Sequence, residues 1–383
     1  MSTELSAYLQ KLQPLLSMPR ETLPQLTVDE ARRSLGWAAG TLGLELIEIA
    51  GVAPTFLLLP PPGRDPDLLI FGSWHAEALP VEPAAVEGAE RLALAAALAG
   101  LARAPEMGAA AVVVAPGASQ GSLVLAGALR AHRSRLQVPV ALWPRVTSRA
   151  PRRRRVFLGA RGRVVLGIWD EGINPYRMRD DLVAELKSEA YGPRPLDFEL
   201  LHKLGENRDA LDFLEEALED PEAVSGEGED RLTRALFEPR GAVVVPQVRH
   251  PDRPQGWLIL DVTENAEAGE LLERARRRAG GARIEMAEGF PWDRISIHHP
   301  SIQTQIKLTK TVSEGPEIWP VAPWMTPSGV FTAALGTPLA EWGMPIHPGV
   351  AVRFPKLEDL DGLAGEVEGL VRGVRAVLTP RGS

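Results

Sequence analysis

Apolar residues recur at two different spacings along this chain, and the switches between them outline its elements. "TELSAYLQKLQPLLSMP" (3–19) carries them at helical spacing and stops at a proline. "TVDEARRSLGWAAGTLG" (27–43) adds a Thr-x-x-Glu pattern, which predicts a capping box at Thr27, an apolar face, and a glycine stop at Gly43. Short apolar runs follow, "LELIEIA", "TFLLLP" and "DLLIFG", then the Ala-rich helical stretch "VEGAERLALAAALAGLARA". "AAVVVAPG" reads as a buried strand, "GSLVLAGALRAHR" as a helix and "VPVALW" as another strand. Unbroken apolar strands alternating with helices predict a mainly parallel sheet covered on both faces.

After residue 160 the pattern changes. "RGRVVLGIWD" is strand-like, "RDDLVAELKSEA" helical, and "LDFELLHKLGENRDALDFLEEALED" a longer helical region. "GAVVVPQVRH" and "GWLILDVTE" predict an antiparallel pair joined across "PDRPQ". A helix, "NAEAGELLERARRRAGG", and a strand, "ARIEMAEG", complete the order β-α-β-β-α-β, with extra helix inside it. That order is ferredoxin-like. From about residue 290 the first style resumes and ends in a long helix, "LEDLDGLAGEVEGLVRGVRAVL". The expected organisation is therefore an α/β domain over residues 1–160 and 290–383, interrupted by an α+β domain over 161–289.

Composition narrows the function classes. In 383 residues, 45% are hydrophobic and 24% charged, which describes a globular chain. No apolar run approaches the roughly 18 residues of a membrane-spanning helix, and the N-terminus lacks the pattern of a signal peptide. With no Cys, thiolate zinc sites, iron–sulfur clusters, disulfides and a Cys nucleophile are excluded. A cytoplasmic location is expected. Net charge is −8, yet Met107 to Trp169 holds no Asp or Glu, and eleven Arg fall between Arg130 and Arg163. The run Arg152-Arg153-Arg154-Arg155 is its densest part. Some of these Arg are expected to pair with the acidic helix at 212–230. Otherwise the block would create a positive field suited to an acidic partner, an anionic small molecule or nucleic acid. Few aromatics are interleaved (Trp143, Phe157), which argues against single-stranded nucleic acid.

In this order the elements resemble the two-zinc aminoacylases and exopeptidases, such as carnosine-type dipeptidases, acetylornithine deacetylase and glutamate carboxypeptidase. The resemblance runs nearly end to end. "DLLIFGSWHAEALPVEP" is similar to that family's strand ending in Gly-His-x-Asp-x-x-Pro, and "VVVAPGASQGS" stands where it has an acidic pair. "GWLILDVTENAEAGELLERARRRA" resembles its lid strand and helix, "VSEGPEIWPVA" its Glu-Gly-Gly-Ser-Ile-Pro segment, and "WGMPIHPG" the place of its late ligand His. The resemblance implies a zinc-peptidase-like fold whose insertion is a lid, and dimerisation through that lid.

The same resemblance implies an eroded metal site. Two zinc ions need a bridging carboxylate with His and carboxylate ligands on either side, and a further Glu to take the proton from water. His75 matches the first ligand in the register that aligns Pro80, with Glu77 replacing the orienting Asp. In the alternative register Gly72 aligns and Ser73 takes the ligand position. The bridging Asp has no counterpart other than Glu87 or Glu90. The acidic pair falls on Ala118 and Ser119, and the next carboxylate falls near Arg145. His347 matches the late His. The reading is a non-catalytic relative that binds a ligand through Arg145, Arg152–Arg155 and Glu77, or that partners an active paralogue or a second copy. The competing reading is a divergent amidohydrolase with one zinc, at low occupancy, on His75, His347 and Glu87. His298-His299, read as strand residues, point to opposite faces and make a poor metal pair.

Overall fold

The computed structural model describes residues 11, 24–50, 54–74, 84–104, 110–115, 122–147, 154–190, 192–218, 226–246, 253–262, 264, 266–312, 315–345 and 357–378. They begin with α1 (Pro24–Leu42), β1 (Glu45–Ile49), β2 (Thr55–Leu59), β3 (Leu68–Ser73), α2 (Ala84–Ala102), β4 (Ala110–Ala115), α3 (Ser122–Ala131), α4 (Arg133–Leu136), β5 (Val140–Thr147) and β6 (Arg155–Phe157). The middle holds β7 (Gly159–Ile168), α5 (Pro175–Glu189), α6 (Pro195–Gly205), α7 (Arg208–Ala217), α8 (Gly228–Phe237), β8 (Arg240–Val244), β9 (Gly256–Val262), α9 (Ala268–Arg278), β10 (Ile284–Phe290) and β11 (Asp293–Arg294). The last part is α10 (Pro300–Val312), β12 (Glu317–Trp319), β13 (Ala322–Met325), α11 (Ser328–Leu335), β14 (Leu339–Pro345) and α12 (Leu357–Leu378).

Two compact units result: Met1–Val156 with Ile297–Glu317 and Phe331–Ser383, and Phe157–Ser296 with Ile318–Val330. The segment Ile318–Val330 goes with the second unit, not with the first as its sequence position suggested, because β13 pairs with β7. In the first unit six strands form one sheet in the order β1-β2-β4-β3-β5-β14. The pairs β4–β3, β3–β5 and β5–β14 are parallel, and β1–β2 and β2–β4 antiparallel. Strands β2, β3 and β4 are buried at every position, as their unbroken apolar runs required. One face packs on α1, α2 and α12 through Leu68, Ile70, Val112, Leu142, Trp342 and their neighbours. Helix α2 lies directly on β3 at Gly72, where a Cβ would meet Leu94 Cδ1 at 2.7 Å.

In the second unit β10-β7-β9-β8 is an antiparallel sheet. Its strand order, with the chain order β7-α-β8-β9-α-β10, is ferredoxin-like. One face (Val164, Leu166, Ile168, Leu258, Leu260, Val262) packs on Met178, Leu182 and Leu186 of α5 and Leu271 and Ala275 of α9. Helices α6, α7 and α8 build a separate core with Trp319 and Val321.

Three local expectations are corrected. Helix α1 starts at Pro24, so Thr27 lies inside it; proline suits a first-turn position, where its missing N–H costs nothing. Its end is as read: Gly43 has φ +64°, and Leu44 N–H and Gly43 N–H donate back to Ala39 and Gly40. The long helical region is two helices, α6 and α7, separated where Asn207 Oδ1 accepts the Asp209 N–H and starts a new helix. His298 and His299 lie in a turn, not a strand, because Pro300 opens α10. His299 Nδ1 accepts the Ser301 N–H at 3.2 Å, which gives it a capping task. The opening stretch 3–19 lies outside the described residues apart from Lys11.

Candidate functional site

In an open α/β sheet, ligands bind outside the carboxyl ends of the strands where the strand order reverses. Here β3 is followed by β4 on one side and then, across β3, by β5 on the other. The reversal therefore lies between the carboxyl ends of β3 and β5. Their ladder runs only from Leu68↔Val140 to Ile70↔Leu142. Beyond it β3 continues with β4 as far as Ser73↔Ala115, and β5 continues with β14 as far as Thr147↔Pro345. Pro144 has no N–H to offer, which favours the parting. Among the described residues this is the crevice that the topology itself creates.

Side chains that alternate toward one face line it in rows. Phe71 meets Trp143 edge-on, with centroids 5.5 Å apart, and Phe331 at 5.4 Å. The next row places Ser73 level with Arg145, by continuing the register that pairs Ile70 with Leu142. Arg145 stacks over Trp143, 4.6 Å from the ring centroid, and donates through Nη1 to Glu341 Oε2 at 3.1 Å. Glu341 stands opposite Trp143 on β14 and is 8% exposed. Gln305 of α10 donates to the Glu341 backbone carbonyl and so holds β14 in place independently of the carboxylate. Ser73 is 1% exposed, and among the described residues its Oγ has no hydrogen-bond partner. Trp74 is anchored by its N–H to Ala115 O and by its indole N–H to Pro54 O, both at 3.0 Å.

The other predicted site residues divide into two groups. His75, Glu77, Ala118, Ser119, Arg152, Arg153 and His347 lie outside the described residues, as does the side chain of Glu87. Arg154 and Arg155 are described and held. Arg154 stacks over Trp342 at 4.9 Å, donates to Gly343 O at 2.6 Å and pairs with Glu366. Arg155 Nε donates to Glu317 Oε1 at 3.0 Å. Among the described residues, the carboxylates that pair with Arg145, Arg154 and Arg155 come from β14, α12 and β12, where the sequence had suggested the acidic stretch at 212–230. Among the described residues no group of three or more His, Asp or Glu is gathered where it could hold a metal ion.

A second collection of charge lies in the inserted unit, and sequence reading missed it. Arg163 Nε donates to Asp261 Oδ1 at 2.9 Å, and Arg240 reaches Asp261 Oδ2 at 3.7 Å. Arg161, fully buried, donates to Ala235 O at 2.7 Å and Glu238 O at 2.6 Å, at the carboxyl end of α8. Burial pushes the Arg161 guanidinium down to about 9; Arg240 and Arg163 add to this, and Asp261 opposes it. Burial alone would raise the Asp261 carboxyl, but Arg163, Arg161 and Arg240 outweigh it and hold it below its ordinary value. Arg163 and Asp261 are opposed across the β7–β9 ladder, a pairing that no local stretch of sequence displays. The same unit has an open sheet edge at β8. Beside it runs a groove of about 300 Å³ lined by Arg179, Asp180, Val183, Ala184, Lys187 and Gly241.

A part-parallel α/β sheet interrupted by a ferredoxin-like insertion is the fold of the M20 metallopeptidases. The M20 metallo-carboxypeptidase of Sulfolobus solfataricus superposes with a TM-score of 0.71 at 15% identity, over 98% of this chain and 100% of that one. The dipeptidase Dug1p of Saccharomyces cerevisiae gives 0.66 at 12% identity over 100% of both chains. Human carnosine dipeptidase 1 gives 0.65 at 11% identity over 98% of both. At sequence level no family profile and no curated protein matches the chain.

Proposed function

We propose that this chain is a non-catalytic relative of the M20 metallopeptidases that works by binding a ligand or partner at the carboxyl edge of its first sheet. One observation carries the reading. At the end of β5, where the resemblance puts a metal-binding carboxylate, stands the Arg145 guanidinium, stacked on Trp143 and paired with Glu341. A fixed cation there repels a divalent metal rather than ligating it, and repulsion between charges a few ångströms apart is worth kilocalories away from bulk water. The described donors therefore do not fit a two-zinc centre, and no hydrolytic step is derived through one. The Ala118-Ser119 dipeptide in place of the acidic pair supports the same conclusion, since neither side chain can take a proton from water at neutral pH.

The proposal includes a dimer built through the inserted unit, of two copies or with an active paralogue, in the cytoplasm. Its support is the open edge of β8, flanked by the exposed Val245 and by Tyr176 at the start of α5. The groove beside it offers both signs of charge, which lets a two-fold pair be self-complementary.

The competing reading, a one-zinc amidohydrolase using His75, Glu87 and His347, is favoured by the peptidase names of the solved structures that share the fold. Incubation with dipeptides and N-acyl amino acids, with zinc added, separates the two. The proposal expects no hydrolysis above the protein-free rate. Turnover that is lost in His75→Ala would overturn it.

A further inference from the structure

We infer that the crevice between β3 and β5 is an oxoanion site in which Glu341 acts as a built-in competitor for Arg145. This rests on the proposed function, because it takes that edge of the sheet to be where ligand binds. Three observations converge on it. Arg145 presents a planar guanidinium, the side chain best matched to carboxylate and phosphate oxygens, on the floor provided by Trp143. One group it holds is itself a carboxylate, Glu341 Oε2, reached by Nη1 at 3.1 Å from the neighbouring strand. Level with Arg145 across the parting ladder is the Ser73 hydroxyl, buried and without a partner among the described residues.

An oxoanion bound there would meet all three. A buried hydroxyl that bonds to nothing gives up its hydration without return. Native structures retain such groups where a ligand completes them. The Arg145–Glu341 pair neutralises the guanidinium, and an entering oxoanion takes over that task as Glu341 turns away. Apparent affinity then equals intrinsic affinity scaled by the fraction of molecules whose pair is open. Glu341 thereby sets how much anion is needed, which is a regulatory role built from one contact. Its backbone is held by Gln305, so the side chain can swing without loss of the strand.

The test is calorimetric titration of the full chain, at fixed ionic strength, with inorganic phosphate and in parallel with propionate; the pair tells a tetrahedral from a planar oxoanion. The inference expects saturable binding of at least one of them. Glu341→Gln should tighten it about tenfold, as follows if the pair is closed roughly nine-tenths of the time. Arg145→Ala should abolish it. Ser73→Ala should weaken it several-fold and yet raise the melting temperature of the ligand-free protein, a combination that a purely structural serine would not give. If Arg145→Ala does not fold, Glu341→Gln decides, since it keeps shape and hydrogen-bonding capacity. Absence of binding to every variant, or affinities indifferent to all three substitutions, overturns the inference. Zinc-dependent hydrolysis together with Arg145-dependent anion binding would instead remove the non-catalytic reading and leave the oxoanion site standing.

Discussion

The two larger sheets of this protein handle charge in opposite ways. In the first unit β2, β3 and β4 are buried along their whole length and carry no ionised group; the charges of that sheet lie on the outer strand β1, at Glu45 and Glu48, and on β5 and β14, at Arg145 and Glu341. In the second unit charge is set into the body of the sheet. Arg161, Arg163 and Arg240 gather around Asp261, on the face opposite the apolar one that receives α5 and α9. The central strands of a sheet covered on both faces have no place for charge along their length, so it collects at their ends and on the outer strands. An antiparallel sheet with one apolar face can build charge into the other, and there it acts as structure. A pair at a strand end is placed to be exchanged with a ligand; a carboxylate set among three guanidiniums is not.

Substitutions can break or sharpen that contrast. The largest effect is expected from Asp261→Asn, which leaves three guanidiniums facing one another. The second unit should lose about 3–5 kcal/mol, read as a lower urea midpoint at neutral pH. Because the Asp261 carboxyl is held below its ordinary value when folded, it releases its proton more readily folded than unfolded. Its contribution is therefore fully present above the unfolded value of about 4 and is lost as pH falls through the lower folded value. The variant should accordingly show a flatter loss of stability on acidification than the parent. Gly72→Val should cost about 1–3 kcal/mol by pushing Leu94 of α2 off β3, in the first unit alone. The smallest effect is expected from Glu341→Gln, about 1 kcal/mol, because the neutral amide still accepts from Arg145 at the partly open strand end. If Glu341→Gln proved as damaging as Asp261→Asn, the distinction between exchangeable and locked charge would fail.

Much of the fold was legible because its signals are local. The unbroken apolar runs of β3, β4 and β5, the hairpin across "PDRPQ" and the order of the insertion all follow from spacing within a few residues. What escaped was either local chemistry misread or pairing at long range. His298-His299 read as strand residues, although the proline that follows them marks a first helical turn. "GENRDAL" hides the Asn207 cap that splits one helical region into two. No window of sequence shows that Arg145 meets Glu341, 196 positions away, or that Arg163 meets Asp261, 98 positions away. The Arg block looked uncompensated because its acids arrive from β12, β14 and α12. Of the candidate site, the strand-end positions of Ser73 and Arg145 could be read from the alternation; the ion pair that gives Arg145 its meaning could not.

The central claim, a metallopeptidase fold whose site no longer takes its metals, is tested most directly by zinc stoichiometry. The purified chain would be dialysed against excess zinc, then against buffer, and its metal content measured against protein concentration. The account predicts well under one zinc per chain, unchanged in Arg145→Ala. Two zincs retained per chain would contradict it.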